Sequence, residues 1–242
     1  MRHVLFSLAV FALACDEDPD ASSDASAEVS DADVDVSDTD AEVSDDDDSD
    51  VDDDSDADDD SDVDDDNDDE VSHADSVDDL LYIREEEKLA RDVYQVLGDL
   101  YGTRIFDNIS QSEQSHMDSL LVHIDRLGLV DPIVDDSTGV FVDEHLQDLY
   151  ATLVAQGSQD LVGALTVGAT IEDLDILDLA IAIETTDDLA LADTYDGLMC
   201  GSRNHLRSFM GQLDRQGAVY TPQYITQAQF DAIVGSAREQ CG

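Results

Sequence analysis

The chain has 242 residues, of which 62 are Asp or Glu and 10 are Lys or Arg, for a formal net charge of −52. That balance argues against nucleic acid as a partner. Three cysteines are too few for a disulfide-rich scaffold, and an acid excess with Lys88 as the only lysine suits high salt, where screening tolerates self-repulsion.

Residues 1–14 read as an export signal of lipoprotein type. Arg2 and His3 make the polar start, residues 4–13 the apolar run and residues 12–14 the small-residue cleavage region. The run is too short to cross a bilayer as a helix. Cys15 follows directly and resembles the lipidated cysteine of bacterial lipoproteins, although Ala12 stands where that pattern prefers Leu. Lipidation at Cys15 is the expectation and plain secretion the alternative. The expected location is therefore the cell envelope, periplasmic or surface-facing, or the medium, with membrane contact only through the lipid.

Residues 15–77 are mainly Asp, Ser, Ala and Val without Lys or Arg, a composition that cannot build a core. They are expected to be a disordered, self-repelling linker that holds the next domain away from a surface. Runs such as Asp58-Asp59-Asp60 lack the turn Gly and terminal Glu of an EF-hand loop, so no specific calcium site is expected.

Residues 78–240 are helical in pattern almost throughout, and no segment shows sustained period-two alternation, so the expected class is all-α. The first helix is expected at 80–101, with Ile83, Glu87, Ala90, Tyr94, Leu97 and Tyr101 on one seam, and Glu85, Glu86 and Lys88 on a solvated face. Gly102 breaks it. The second runs over 106–127, with Ile109, Glu113, His116, Leu120 and Leu127 on its seam, and Gly128 ends it.

A connection containing Pro132 and a Thr138-Gly139 turn leads to a short covering helix at 145–155. The third long helix is expected at 159–184, its apolar seam interrupted by Glu172. The fourth follows the turn at 185–188 and runs to 216, with Leu198, Ser202, His205 and Phe209 on its seam. A last short helix over 227–237 is capped by Thr226.

Polar residues on apolar seams need partners at the same height. In an antiparallel hairpin two residues are level when they lie equally far from the turn. The midpoint between Glu87 and the Glu113/His116 pair falls at the Tyr101-Gly102 break, and that between Glu172 and Ser202/His205 falls at Asp187-Asp188. Both hairpins thus bring their polar intruders level. The long stretch 128–158 becomes the crossover between second and third helices, which is the ferritin-like topology, in which lone Glu and Glu-x-x-His residues build a metal site.

Three buried carboxylates and two imidazoles at one level are prohibitive unless compensated, and one or two divalent cations compensate them. The expected ligands are Glu87, Glu113, His116, Glu172 and His205. Carboxylate and imidazole without thiolate suits iron, with manganese or zinc as alternatives.

The motifs Glu87-Lys88-Leu89-Ala90-Arg91-Asp92-Val93-Tyr94 and Glu113-Gln114-Ser115-His116 resemble those of rubrerythrins. Together with residues 168–172 and 201–209 they are similar to an uncharacterised prokaryotic ferritin-like domain family over about 78–237. The resemblance implies a di-iron carboxylate bundle with the same five ligands. It also marks a departure: Ser202 stands where the fourth-helix Glu-x-x-His begins, and Ala169 where rubrerythrins carry a further Glu.

Asp175 is a candidate replacement ligand and His123 a weaker, outlying candidate for support. Rubrerythrins also carry a cysteine-rich electron-delivery segment, which Cys200 and Cys241 alone cannot form. These two are either disulfide partners or free thiols.

The expected function is an exported ferritin-like protein that binds one or two iron ions and acts as a ferroxidase or peroxide reductase. The alternatives are a metal-binding module without turnover and a surface interaction module on an acidic stalk. A homo-oligomer is open, and the redox partner is unidentified.

Overall fold

The computed structural model describes residues 67–241, with side chains from Ser76 onward. The export signal, Cys15 and most of the acidic linker lie outside the described residues. Six helices and no strand occur among the described residues: α1 (Asn67–Tyr101), α2 (Arg104–Leu127), α3 (Glu144–Gly157), α4 (Leu161–Thr185), α5 (Leu189–Arg215) and α6 (Gln227–Val234).

Each boundary has a local cause. Gly102 and Gly128 take positive φ, 62° and 68°, which side chains with a Cβ rarely adopt, so α1 and α2 stop there. Asp143 accepts hydrogen bonds from the His145 and Leu146 amides, Asp160 from Gly163, and Asp188 from Ala190 and Leu191. These acids satisfy orphan amides and complement the positive helix ends of α3, α4 and α5. Thr226 and Gln229 close a reciprocal capping box on α6. Helix α1 starts at Asn67 rather than residue 80, and the added stretch contains neither Pro nor Gly to stop it.

The four long helices pack side by side as a helical bundle. Helix α1 lies against α2 and α4, and α5 lies against α4 and α2, while α3 covers α1 and α4, and α6 sits on α5. At one level Tyr94, Phe106 and Phe209 pack as a tilted aromatic trio with centroids 5.4–6.1 Å apart. Gly168 makes room for it, since a Cβ there would fall 2.3 Å from the Phe209 ring. A second cluster, built around Leu80, Ile124, Leu179 and Tyr195, fills the bundle towards the α4–α5 turn.

The face of α1 read as solvated is buried instead: Glu85, Glu86 and Lys88 are 4%, 3% and 0% exposed. The segment between α2 and α3 folds over it. Lys88 pairs with Asp92 at 2.5 Å, donates to the Ser137 carbonyl at 3.0 Å and lies over the Phe141 ring. Glu85 accepts from the Val142 and Asp143 amides at 2.7 and 3.1 Å. Glu85 and Lys88 are anchors for the crossover, each with a partner that offsets the cost of burial.

Candidate metal centre

The bundle's middle is where the polar residues converge. Glu87 comes from α1, Glu113 and His116 from α2, Glu172 from α4 and His205 from α5, all almost fully buried except His116, whose side chain is 12% exposed. Two overlapping groups form, Glu87–Glu113–His116 and Glu113–Glu172–His205, each offering ligand atoms within 4.8 Å of one another. Glu113 belongs to both.

Its two oxygens divide between the two rings. His116 Nδ1 lies 2.8 Å from Glu113 Oε2 and 3.2 Å from Glu87 Oε2. His205 Nδ1 lies 2.9 Å from Glu113 Oε1 and 3.3 Å from Glu172 Oε2. The rings stack with centroids 5.7 Å apart. The centre therefore has approximate twofold character, with one glutamate bridging two identical Glu–His pairs.

Close approach here is not hydrogen bonding throughout. Glu87 Oε1, Glu113 Oε1 and His205 Nδ1 are buried without any hydrogen-bond partner, although the last two are neighbours. Orphaned polar atoms of this kind are costly unless something else binds them. Five nitrogen- and oxygen-donor residues clustered in this way fit a divalent cation chemically.

The electrostatics of the metal-free cluster point the same way. Burial alone would raise Glu113, but the imidazolium charges of His205 and His116 outweigh it and hold its carboxyl well below the usual range. Burial disfavours the charged rings, yet the surrounding carboxylates overcome it: His205 is pushed up to about 10 by Glu113 and Glu172, and His116 well up by Glu87 and Glu113. Burial lifts Glu87 to about 7 despite His116. Without a metal, the surrounding carboxylates thus favour the protonated, positively charged form of both imidazoles.

Surrounding groups fix these side chains. The Tyr94 hydroxyl donates to Glu172 Oε1 at 2.5 Å, and His205 Nε2 meets the Ser112 hydroxyl at 3.1 Å. Gly201 lies so close to His116 that a Cβ there would sit 2.7 Å from Nε2. Asp175 belongs to neither ligand group. It accepts a short hydrogen bond from Ser202, and its other oxygen is buried without a partner. His123 is buried away from the centre and pairs with Thr194 and Arg126.

Two features escape a reading of the seams. Beside the centre, Glu86 is pushed well up by burial and by the Asp178 carboxyl, and Asp178 is raised to about 6 by burial and Asp79. The available signal was Asp175 and Asp178, three apart on a helix rich in apolar residues. Asp173 is fully buried and anchors the segment before α6, accepting from the Tyr220 hydroxyl and the Gln223, Tyr224 and Ile225 amides.

At the C-terminus Cys200 and Cys241 form a disulfide, with Cα atoms 5.6 Å apart. Glu239 is clamped by Arg203 and Arg207, each at 2.6 Å, so the tail lies along α5.

An all-helical bundle with a buried Glu/His cluster able to hold a metal ion is the class of protein that fold and site define. The chain belongs to the family described as "Uncharacterized protein domain (DUF2202)", which matches residues 76–237. It is 45% identical over 161 residues to "Uncharacterized protein MJ0754" of Methanocaldococcus jannaschii, covering 66% of this chain and 87% of that protein. The crystal structure of hypothetical protein MJ0754 from Methanococcus jannaschii matches at a TM-score of 0.66 and 46% identity, over 67% of this chain and 93% of that one.

Proposed function

We propose that this protein is a ferritin-like, rubrerythrin-like metalloprotein that binds iron, at one or two positions, through Glu87, Glu113, His116, Glu172 and His205, with manganese or zinc as alternative ions. The observation that carries the reading is the Glu113 carboxylate, shared between two Glu–His pairs whose donor atoms are partly orphaned. Two packed hairpins, α1–α2 and α4–α5, joined by a crossover that includes α3, support the ferritin-like topology.

A bound iron pair supplies redox chemistry towards oxygen or peroxide, and ferroxidase or peroxide reductase is the proposed activity. The protein's own contribution is placement. Tyr94 holds Glu172 by one oxygen, Ser112 holds the outer nitrogen of His205, and burial excludes water from the carboxylates. Export, a lipid at Cys15 and an acidic stalk complete the proposal and rest on the sequence of residues 1–77.

Ser202 favours a second reading, a metal-binding module without turnover, because the fourth long helix adds an imidazole but no carboxylate. One experiment separates the two. The full-length protein is loaded with Fe(II) anaerobically, dialysed and assayed for iron, then exposed to oxygen or peroxide. Retained iron with an oxidant-dependent absorbance change supports an oxidoreductase; retained iron that stays silent supports the second reading. Negligible iron, no different in Glu113→Ala, sinks both.

A further inference from the structure

A groove of about 640 Å³ runs between α2 and α5 and reaches both imidazoles of the cluster. Its third wall is the C-terminal tail, through Arg238, Glu239 and Cys241. An adjoining groove of about 600 Å³ touches His205 but not His116. His116, the most exposed of the five clustered residues, stands on the floor of the first groove, and Gly201 keeps the space beside its Nε2 clear.

The chemistry of the walls is specific. Ser115 and Ser119 donate their hydroxyl hydrogens to the carbonyls of Gln111 and Ser115, and Thr194 donates to that of Ala190. With the hydrogens used inside the helices, the two serine oxygens keep lone pairs for a partner, as the water shell of a cation requires, while the Thr194 oxygen is also engaged by His123. Asp193 adds a carboxylate to the lining.

The tail opposes these groups. Arg238 lines the same groove, and the tail is held down at several points: the disulfide, the Arg203/Arg207 clamp on Glu239, and Asn204, which bonds the Glu239 carbonyl and amide at 3.1 and 2.9 Å.

We propose that this groove is the port through which a hydrated divalent cation reaches the His116–His205 face, and that the clamped tail sets its width. The inference rests on the metal-binding reading above. Releasing the tail removes a wall, so the port widens. The disulfide then has a role in access as well as in stability.

Stopped-flow association of Co(II) with the full-length protein tests this, read by its absorption bands, with bound metal counted at equilibrium and folding checked by circular dichroism. Ser115→Phe places a bulky ring in the groove from an exposed position and should slow association at least tenfold at unchanged final stoichiometry. Ser119→Phe, on the same helix face, repeats the test should the first variant fail to fold. The double variant Glu239→Gln/Cys241→Ser should speed association several-fold. Unchanged rates in a folded Phe variant that still fills overturn the port. No Co(II) bound by the wild-type protein overturns the metal reading itself, and the port with it.

Discussion

The Ser202 hydroxyl on α5 donates to Asp175 on α4. A carboxylate is therefore present beside the centre, contributed by the neighbouring helix, and a longer side chain at 202 would occupy its space. Ser202 is 0% and Asp175 6% exposed, so the pair is enclosed. Ser202→Ala leaves Asp175 short of a donor and should lower stability by about 1–3 kcal/mol. Ser202→Glu should destabilise further, and Asp175→Ala should rescue it. Denaturant unfolding of the three variants decides the matter, and absence of rescue shows that the two positions do not exchange a carboxylate.

Glu113 joins the two halves of the cluster, so its loss should have effects that neither outer glutamate shares. Glu113→Ala should retain almost no metal, whereas Glu87→Ala and Glu172→Ala should each retain about half of the wild-type load. Elemental analysis after dialysis measures this. Equal losses in all three variants would mean a single mononuclear site.

Metal-free protein should lose stability as the solution becomes alkaline. A histidine whose pKa is raised on folding contributes stability that is full below its unfolded value, roughly 6.5, and is lost as pH rises through the folded value, about 10 for His205. His116 shifts in the same direction, and Glu86, a carboxyl raised by burial, also favours the acidic side. Thermal midpoints without metal should fall between about pH 6.5 and 10. A bound divalent ion replaces the imidazole protons, so loading should flatten this slope and release protons. A metal-free midpoint that rises over that interval contradicts the assignment of protonated rings.

Asp92 is fully buried and accepts from Lys88, Arg91 and the Gly139 amide at 2.5 to 3.0 Å. Asp92→Asn strips the counter-charge from a lysine with no exposure and should cost about 3–5 kcal/mol. Because the contacts lie on the crossover side of α1, metal stoichiometry should be unchanged wherever the variant remains folded. Chemical denaturation and metal counting together test this, and a loss of less than about 1 kcal/mol would deny Asp92 its anchoring role.

Much of the helical layout was legible because its signals are local. Gly102, Gly128, Asp188 and Thr226 end or begin helices through backbone geometry and capping that depend on a few neighbouring residues. Likewise, the convergence of Glu87, Glu113, His116, Glu172 and His205 followed from helical rise and equal distance from two turns. The burial of Glu85, Glu86 and Lys88 was not legible in this way: charges on a helix look solvated until a segment some fifty residues later folds over them and supplies partners to Glu85 and Lys88.

What the sequence by itself determined is the all-helical class and the set of polar residues sharing one height, since 3.6-residue periodicity and a fixed rise per residue suffice for both. Only the tertiary structure decided which oxygen of Glu113 faces which imidazole, that Asp175 pairs with Ser202 outside the two ligand groups, and that the tail walls the groove over His116. Those relations depend on how helices α1, α2, α4 and α5 rotate about their own axes and on where a distant segment is clamped. Seam periodicity records the apolar side of each helix but not that rotation to within a side chain.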